Sequence, residues 1–174
     1  GGTGITLSDD GSALVTLSGG KTVKLYGTSH ASFHVNANGN LTFGASDGTY
    51  TESLSQHFAV RRVAALFDDL NPSAGGTVSR KQLADRVAVT WQNVPEYSTT
   101  NQNSFQIELF FDGRIRITYL SVAATDGIAG VSEGVGLSPF FVETNLSGAQ
   151  ECAGQAPSSP APGAPGNGGT VEVP

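Results

Sequence analysis

The densest grouping of side chains able to do chemistry is Asp68-Asp69-Leu70-Asn71-Pro72, three oxygen-bearing side chains within four residues, directly after an apolar run. Hard oxygen ligands at that density suit a calcium ion completed by backbone carbonyls, so Asp68, Asp69 and Asn71 are the candidate metal ligands. The stretch lacks the spaced Asp/Asn ladder and closing Glu of an EF-hand loop. An Asx-Pro sequence also fastens its own turn through side-chain bonds to backbone, which makes a structural turn the favoured reading. The histidines are His30, His34 and His57, the first two spaced to share one face of a strand. No HExxH or Gly-x-Ser-x-Gly setting surrounds them, so they are expected to be ordinary hydrogen-bonded side chains. The acids Asp69, Glu96, Glu108 and Glu133 do not pair by spacing into a general acid and base. No catalytic residue is assigned, and the expectation is a protein that is not an enzyme.

Tyr50, Tyr97, Trp91 and Phe110 raise the question of a sugar-stacking platform. Trp91 shares its face with Val87 and Val89 and is expected in the core. Phe110 falls out of phase with its apolar neighbours and calls for a cover, for which a partner strand or second sheet is expected. Cys152 is the single cysteine: it excludes an internal disulfide and a Cys-ligated zinc site, and leaves an intersubunit disulfide as its candidate role. Asn40-Leu41-Thr42 and Asn145-Leu146-Ser147 match the glycosylation pattern.

The elements that must position these groups are strands. Val87, Val89 and Trp91 alternate with Ala88 and Thr90 over 86–91, and Phe105, Ile107, Leu109 and Phe111 do the same over 104–111. Asp112-Gly113 supplies a positive-φ pair for a two-residue turn, and Ile115, Ile117 and Tyr119 continue the alternation on the returning strand. Glu108 then lies on the outer face, opposite Arg114 or Arg116. Further strands are expected at 5–7 and 13–17, joined as a hairpin through Asp9-Asp10-Gly11, and at 23–26, 32–35, 41–43, 63–66, 77–79, 127–131 and 140–143, with one helical turn within 54–62. Roughly ten to twelve short strands with regular turn signals predict an all-β fold, a two-sheet antiparallel sandwich of jelly-roll or Ig-like type, with a barrel as the alternative.

The chain has 174 residues, which is one domain or a domain plus a tail. Residues 1–148 form the predicted body, 149–169 an Ala/Gly/Pro/Ser-rich linker, and 170–174 a terminal strand, Thr170-Val171-Glu172-Val173, ahead of Pro174. Net charge is −6 and the lysines, Lys21, Lys24 and Lys81, are scattered, which argues against nucleic acid as a partner. No apolar run reaches the roughly 18 residues of a membrane span. Met is absent and the sequence opens on Gly1, which suggests either a mature product trimmed from a precursor or a piece excised from a longer chain. The few charges and abundant Ser, Thr, Asn and Gly point to an extracellular or cell-surface setting.

Four segments together resemble the extracellular nidogen-like domains. They are Phe33-His34-Val35-Asn36-Ala37-Asn38-Gly39-Asn40-Leu41-Thr42-Phe43-Gly44, Val63-Ala64-Ala65-Leu66-Phe67-Asp68-Asp69-Leu70, Arg86-Val87-Ala88-Val89-Thr90-Trp91-Gln92-Asn93-Val94-Pro95, and Asn103-Ser104-Phe105-Gln106-Ile107-Glu108-Leu109 with Asp112-Gly113-Arg114-Ile115. They are also similar to β-rich modules beside secreted bacterial proteases and in large surface proteins. The likeness covers about 26–136 and implies a non-catalytic extracellular module used for matrix contact or as a spacer. It lacks the cysteine-rich neighbours of the animal domains. An isolated sandwich has unpaired edges, and a terminal strand on a long spacer is suited to β-augmentation. The expectation is therefore a structural or adhesive subunit that polymerises with copies of itself by lending Thr170, Val171, Glu172 and Val173 to a neighbour's edge. The alternative is a module that binds surface glycan or matrix protein.

Overall fold

A computed structural model describes residues 2–144 and the backbone of 170–173. The predicted linker, Cys152 and Asn145 lie outside the described residues. The strands in chain order are β1 (Thr3–Ile5), β2 (Ser12–Thr16), β3 (Val23–Leu25), β4 (Thr28–His30), β5 (Ser32–Asn36) and β6 (Asn40–Thr42). The helix α1 (Leu54–Ala59) follows, then β7 (Arg61–Phe67), β8 (Thr77–Gln82), β9 (Arg86–Val94), β10 (Asn103–Phe110), β11 (Ile115–Ser121), β12 (Ile128–Glu133) and β13 (Thr170–Val173). They make a six-stranded sheet ordered β1-β8-β9-β10-β11-β13, a five-stranded sheet ordered β12-β7-β6-β5-β2, and the small β3–β4 hairpin. Every pairing is antiparallel. The expected all-β two-sheet sandwich is the fold, and no sheet closes into a barrel. No helix among the described residues is long and apolar enough to cross a membrane.

Alternation builds the core. Val87, Val89 and Trp91 of β9, Phe105, Ile107 and Leu109 of β10, and Ile115 and Ile117 of β11 are all buried, and with Val15, Phe33, Val35, Leu41 and Val63 of the five-stranded sheet they form one apolar cluster. Each such side chain contributes about 1.5–3 kcal/mol by leaving water. Trp91 stacks on Phe105, its register partner, with centroids 5.1 Å apart. Its indole N–H reaches Ala37 O of the β5–β6 turn at 3.2 Å and so pins that turn to β9.

Three local expectations are corrected. β1 and β2 are not a hairpin: β1 pairs with β8 and β2 with β5, in different sheets. The tight turn closed by Gly11 N–H on Ser8 O (3.1 Å) carries the chain from one layer to the other, because Leu7 and Val15 must both reach the core. The β10–β11 connection spans four residues, 111–114, and is closed by Phe110 N–H on Arg114 O at 2.9 Å. Only Gly113 takes a positive φ there, while Asp112 accepts from Arg114 N (3.1 Å) and Arg114 Nε (3.0 Å). The 140–143 stretch is not a strand, and Phe140 is 90% exposed.

Two outer-face residues behave differently from plain solvent-facing groups. Phe110 is buried, and among the described residues the guanidiniums of Arg114 (4.4 Å from the ring), Arg86 and Arg116 lie over its ring. Glu108 does stand opposite Arg116, and it also accepts from Arg86 Nε at 2.6 Å. Arg116 Nη1 lies 3.8 Å from the other Glu108 oxygen, and the carboxylate is buried.

The terminal strand was expected on a neighbour's edge. It pairs instead with β11 of its own chain, Val171 opposite Ile117, Glu172 opposite Arg116 and Val173 opposite Ile115. The spacer is long enough for this return, at roughly 3 Å per residue in extended form. The side chains of 170–173 lie outside the described residues, and with them the expected orientation of the two valines.

Candidate functional site

One end of the sandwich gathers the acids. β7 delivers Asp68 and Asp69 past its last residue, and β9 runs on through Pro95 to Glu96. The two exits are zipped by a Leu70–Glu96 bridge, by Asn71 N–H on Pro95 O (2.9 Å) and by Tyr97 N–H on Asp69 O (2.7 Å). Asp126 arrives from a third direction, because Ile128 of β12 pairs with Phe67. The intervening Gly127 has φ +96° and lies so close to Leu66 and Asp68 that an added Cβ would stand 2.7 Å from the leucine side chain.

Carboxylate oxygens of Asp68, Glu96 and Asp126 thus come within 4.8 Å of one another, and those of Asp9, Asp10 and Asp69 form a second such group. The sequence offered Asp68, Asp69 and Asn71 as candidate calcium ligands beside the favoured reading of a structural turn, and the structure places the three side chains apart. Asp68 and Asp69 point into different clusters, and Asn71 Oδ1 is spent on its own turn, accepting from Ser73 N (3.0 Å), Ser73 Oγ (2.6 Å) and Ala74 N (3.1 Å). Spacing gave no signal for Asp126, which joins the site only through strand pairing. Glu96, weighed as a hydrolytic acid, is brought to Asp68.

Burial raises the carboxyls of Asp68 and Glu96 above their ordinary range. For Asp68 the charges of Asp126 and Glu52 add to it against hydrogen bonds from Asp69 N–H and with the Glu96 side chain, and for Glu96 the charges of Asp68 and Asp126 and the hydrogen bond with Asp68 all add to it. Asp69 is raised by burial, then by Asp10, Asp9, Asp68 and Glu52. The charges acting on all three groups are other carboxylates.

The scaffold under both clusters is a buried amide network that the sequence shows only as the run of 36–42. Asn38 Nδ2 donates to Asp10 Oδ1 (2.9 Å) and Thr49 O (3.0 Å), and its Oδ1 accepts from Leu70 N (3.0 Å). Asn36 donates to Asn40 Oδ1 (2.8 Å), and Asn40 donates to Asn38 O (2.8 Å). Asn40 is therefore a buried structural amide, 1% exposed, and no glycan acceptor.

The histidines do not converge. His30 sits on β4 and His34 on β5, in different sheets. His30 is pushed down by burial and by Arg61. His57 on α1 is buried beside Arg62, and burial followed by the Arg62 charge lowers its pKa to about 4. The sign follows from the ordinary value of 6.5: the unfolded chain takes up the proton below that pH, while the folded chain resists it until about 4. Stability should fall across that window by about 3 kcal/mol and be level above it. Urea melts between pH 7.5 and 4 check this, with His57→Gln expected to flatten the slope.

Of the aromatics considered for sugar stacking, Tyr50 and Tyr97 are about half exposed and Trp91 is fully buried. At the opposite, arginine-bearing end, a groove of about 410 Å³ lies between the β3–β4 hairpin and the β10–β11 loop, lined by Lys24, Tyr26, Arg114, Ile115 and Val131 among others. Tyr26 takes a left-handed backbone there (φ +47°) and its hydroxyl donates to Val131 O at 3.3 Å.

No curated protein and no solved structure matches the chain. The family model described as NIDO related matches residues 1–164, which takes in both sheets apart from β13 and extends the 26–136 likeness in both directions. The chain belongs to that family and is a nidogen-like domain.

Proposed function

We propose that this domain is a non-catalytic extracellular structural or adhesive module, one that holds its own terminal strand. The observation that carries the reading is the placement of β1 and β13. These strands form the two edges of one six-stranded sheet, so both flanks of the domain are anchored through backbone hydrogen bonds to the same rigid layer. That arrangement suits a spacer in a larger surface assembly. Filament growth by strand donation is the finer reading; it would require β13 to leave the β11 edge of its own chain for that of a neighbour.

Truncation before Thr170 tests the reading. The shortened chain is expected to stay monomeric like the full one in light scattering, with Tm lower by about 5 °C from the loss of four cross-strand pairs. Assembly of the full chain that the truncation abolishes would overturn self-docking in favour of strand donation. Turnover of a peptide or glycan, lost on Glu96→Gln, would overturn the non-catalytic assignment.

The groove at Tyr26 favours a second reading, a module that binds glycan or matrix protein. Its mixed lining of an aromatic ring, three aliphatic side chains, Lys24, Arg114 and Asp112 is the composition of a small polar-ligand site.

A further inference from the structure

We propose that Asp68, Glu96 and Asp126 form a calcium site that clamps the ends of β7 and β9 to the start of β12. The acidic grouping is joined by a second observation. Asp68 is 5% exposed; its Oδ1 accepts from Asp69 N at 2.8 Å, but its Oδ2 is buried without a hydrogen-bond donor among the described residues. Glu96 stands close enough to Asp68 for a side-chain hydrogen bond that lowers the Asp68 carboxyl and raises that of Glu96, and two carboxylates, both acceptors, share such a contact only through a proton on Glu96 or a cation between them.

Several features favour the cation. Oxygens each about 2.3–2.6 Å from one calcium ion lie no more than about 5 Å apart, which matches the 4.8 Å grouping of the three carboxylates. The ligands are all hard oxygen, with no imidazole or thiolate among them, which excludes zinc and copper preferences. They come from three separate loops, one buried, one half-buried and one exposed, which gives the adaptable cage that calcium accepts and magnesium does not. Asp126 is free to turn toward solvent, so an affinity on the order of 10⁻⁴ M, the extracellular class, is expected. The ion would remove the mutual repulsion of three carboxylates at the point where the two sheets meet.

The test is thermal unfolding and calorimetry of the full chain at pH 7 and constant ionic strength, titrated with calcium chloride and, separately, magnesium chloride. The expected result is a Tm rise of about 3 °C or more near 10 mM calcium, with little response to magnesium. Asp126→Asn, at an exposed position that does not threaten folding, and Glu96→Gln should each abolish the calcium response. Asp10→Asn, in the neighbouring acidic group, should leave it intact. The proposal is overturned by an absent calcium response or by an equal response to magnesium. It is equally overturned if Asp126→Asn retains the response or Asp10→Asn removes it. Glu96→Gln melting above the parent chain, with calcium without effect on either, would assign the contact to a shared proton instead.

Discussion

Gly39→Ala is expected to destabilise the domain by at least about 4 kcal/mol, enough to remove most of the cooperative melt of a protein of this size. The backbone at Gly39 takes φ +70°, and a Cβ built there would lie 1.9 Å from Leu66 O and 2.8 Å from Leu66 C, backbone atoms of the neighbouring strand. Retreat is blocked, because Gly39 O accepts from Ala65 N (3.1 Å) and Leu66 N (3.3 Å). Moving the turn away from β7 breaks both bonds, drags Asn38 off Leu70 N, and loosens the Ala37 carbonyl that holds Trp91. Gly19→Ala is the control: it has a similar φ of +65° with nothing within 4 Å of the added Cβ, so it should cost only about 1 kcal/mol. Urea denaturation of the two variants compares strain alone with strain plus collision. Equal losses would mean that close approach to β7 contributes nothing.

That contrast also shows what was legible in the sequence. Asn38-Gly39 announces a turn, but not that the turn is wedged against Leu66, a residue 27 positions later. Periodicity of two reports which face of a strand meets the core, and it placed Val87, Val89, Trp91, Phe105, Ile107 and Leu109 correctly. It carries no information about which strands are neighbours. The sequence therefore read β1 and β2 as a hairpin, when the pull of Leu7 and Val15 toward one core from two layers sends them to separate sheets. Phe110 was identified as an apolar residue in need of a cover, and among the described residues the guanidiniums of Arg86, Arg114 and Arg116 lie against its ring. The acidic end illustrates the same limit. Asp68 and Asp69 were conspicuous because they adjoin, yet adjacency on a chain leaving a strand sends successive side chains to opposite sides. The partners of Asp68 come from 28 and 58 residues away through strand register. Asn71 was drawn in by proximity in sequence, although the chemistry that makes Asn-Pro a turn also consumes its oxygen.

Asp47→Asn is expected to cost about 3–5 kcal/mol, because it strips the counter-charge from a guanidinium that cannot reach water. Arg62 is 1% exposed on β7, its Nη2 bonded to Asp47 Oδ2 and to Gln56 O (3.3 Å), its Cζ 4.1 Å from the centroid of the Phe67 ring, and its Nε and Nη1 buried without partners among the described residues. Burial alone would raise the Asp47 carboxyl. Hydrogen bonds from Thr49, with the charge and bond of Arg62, outweigh it and hold the group below its ordinary range. The pair therefore contributes stability above the ordinary carboxylate pKa and loses it as pH falls through the lowered value. Asparagine keeps the shape and one acceptor but leaves Arg62 charged in an apolar pocket beside His57. Replacing both residues, Asp47→Asn with Arg62→Met, removes the stranded charge and should recover at least about 2 kcal/mol of the single variant's loss. A double-mutant cycle by urea denaturation measures that coupling. If the double variant is no more stable than Asp47→Asn, the loss comes from the contacts of Asp47 with Asn36 and Thr49 and not from the buried ion pair. The same cycle reads out on His57, which is lowered first by burial and then by Arg62: without the arginine its pKa should rise from about 4 toward 6.5, and the acid-dependent fall in stability should shrink accordingly.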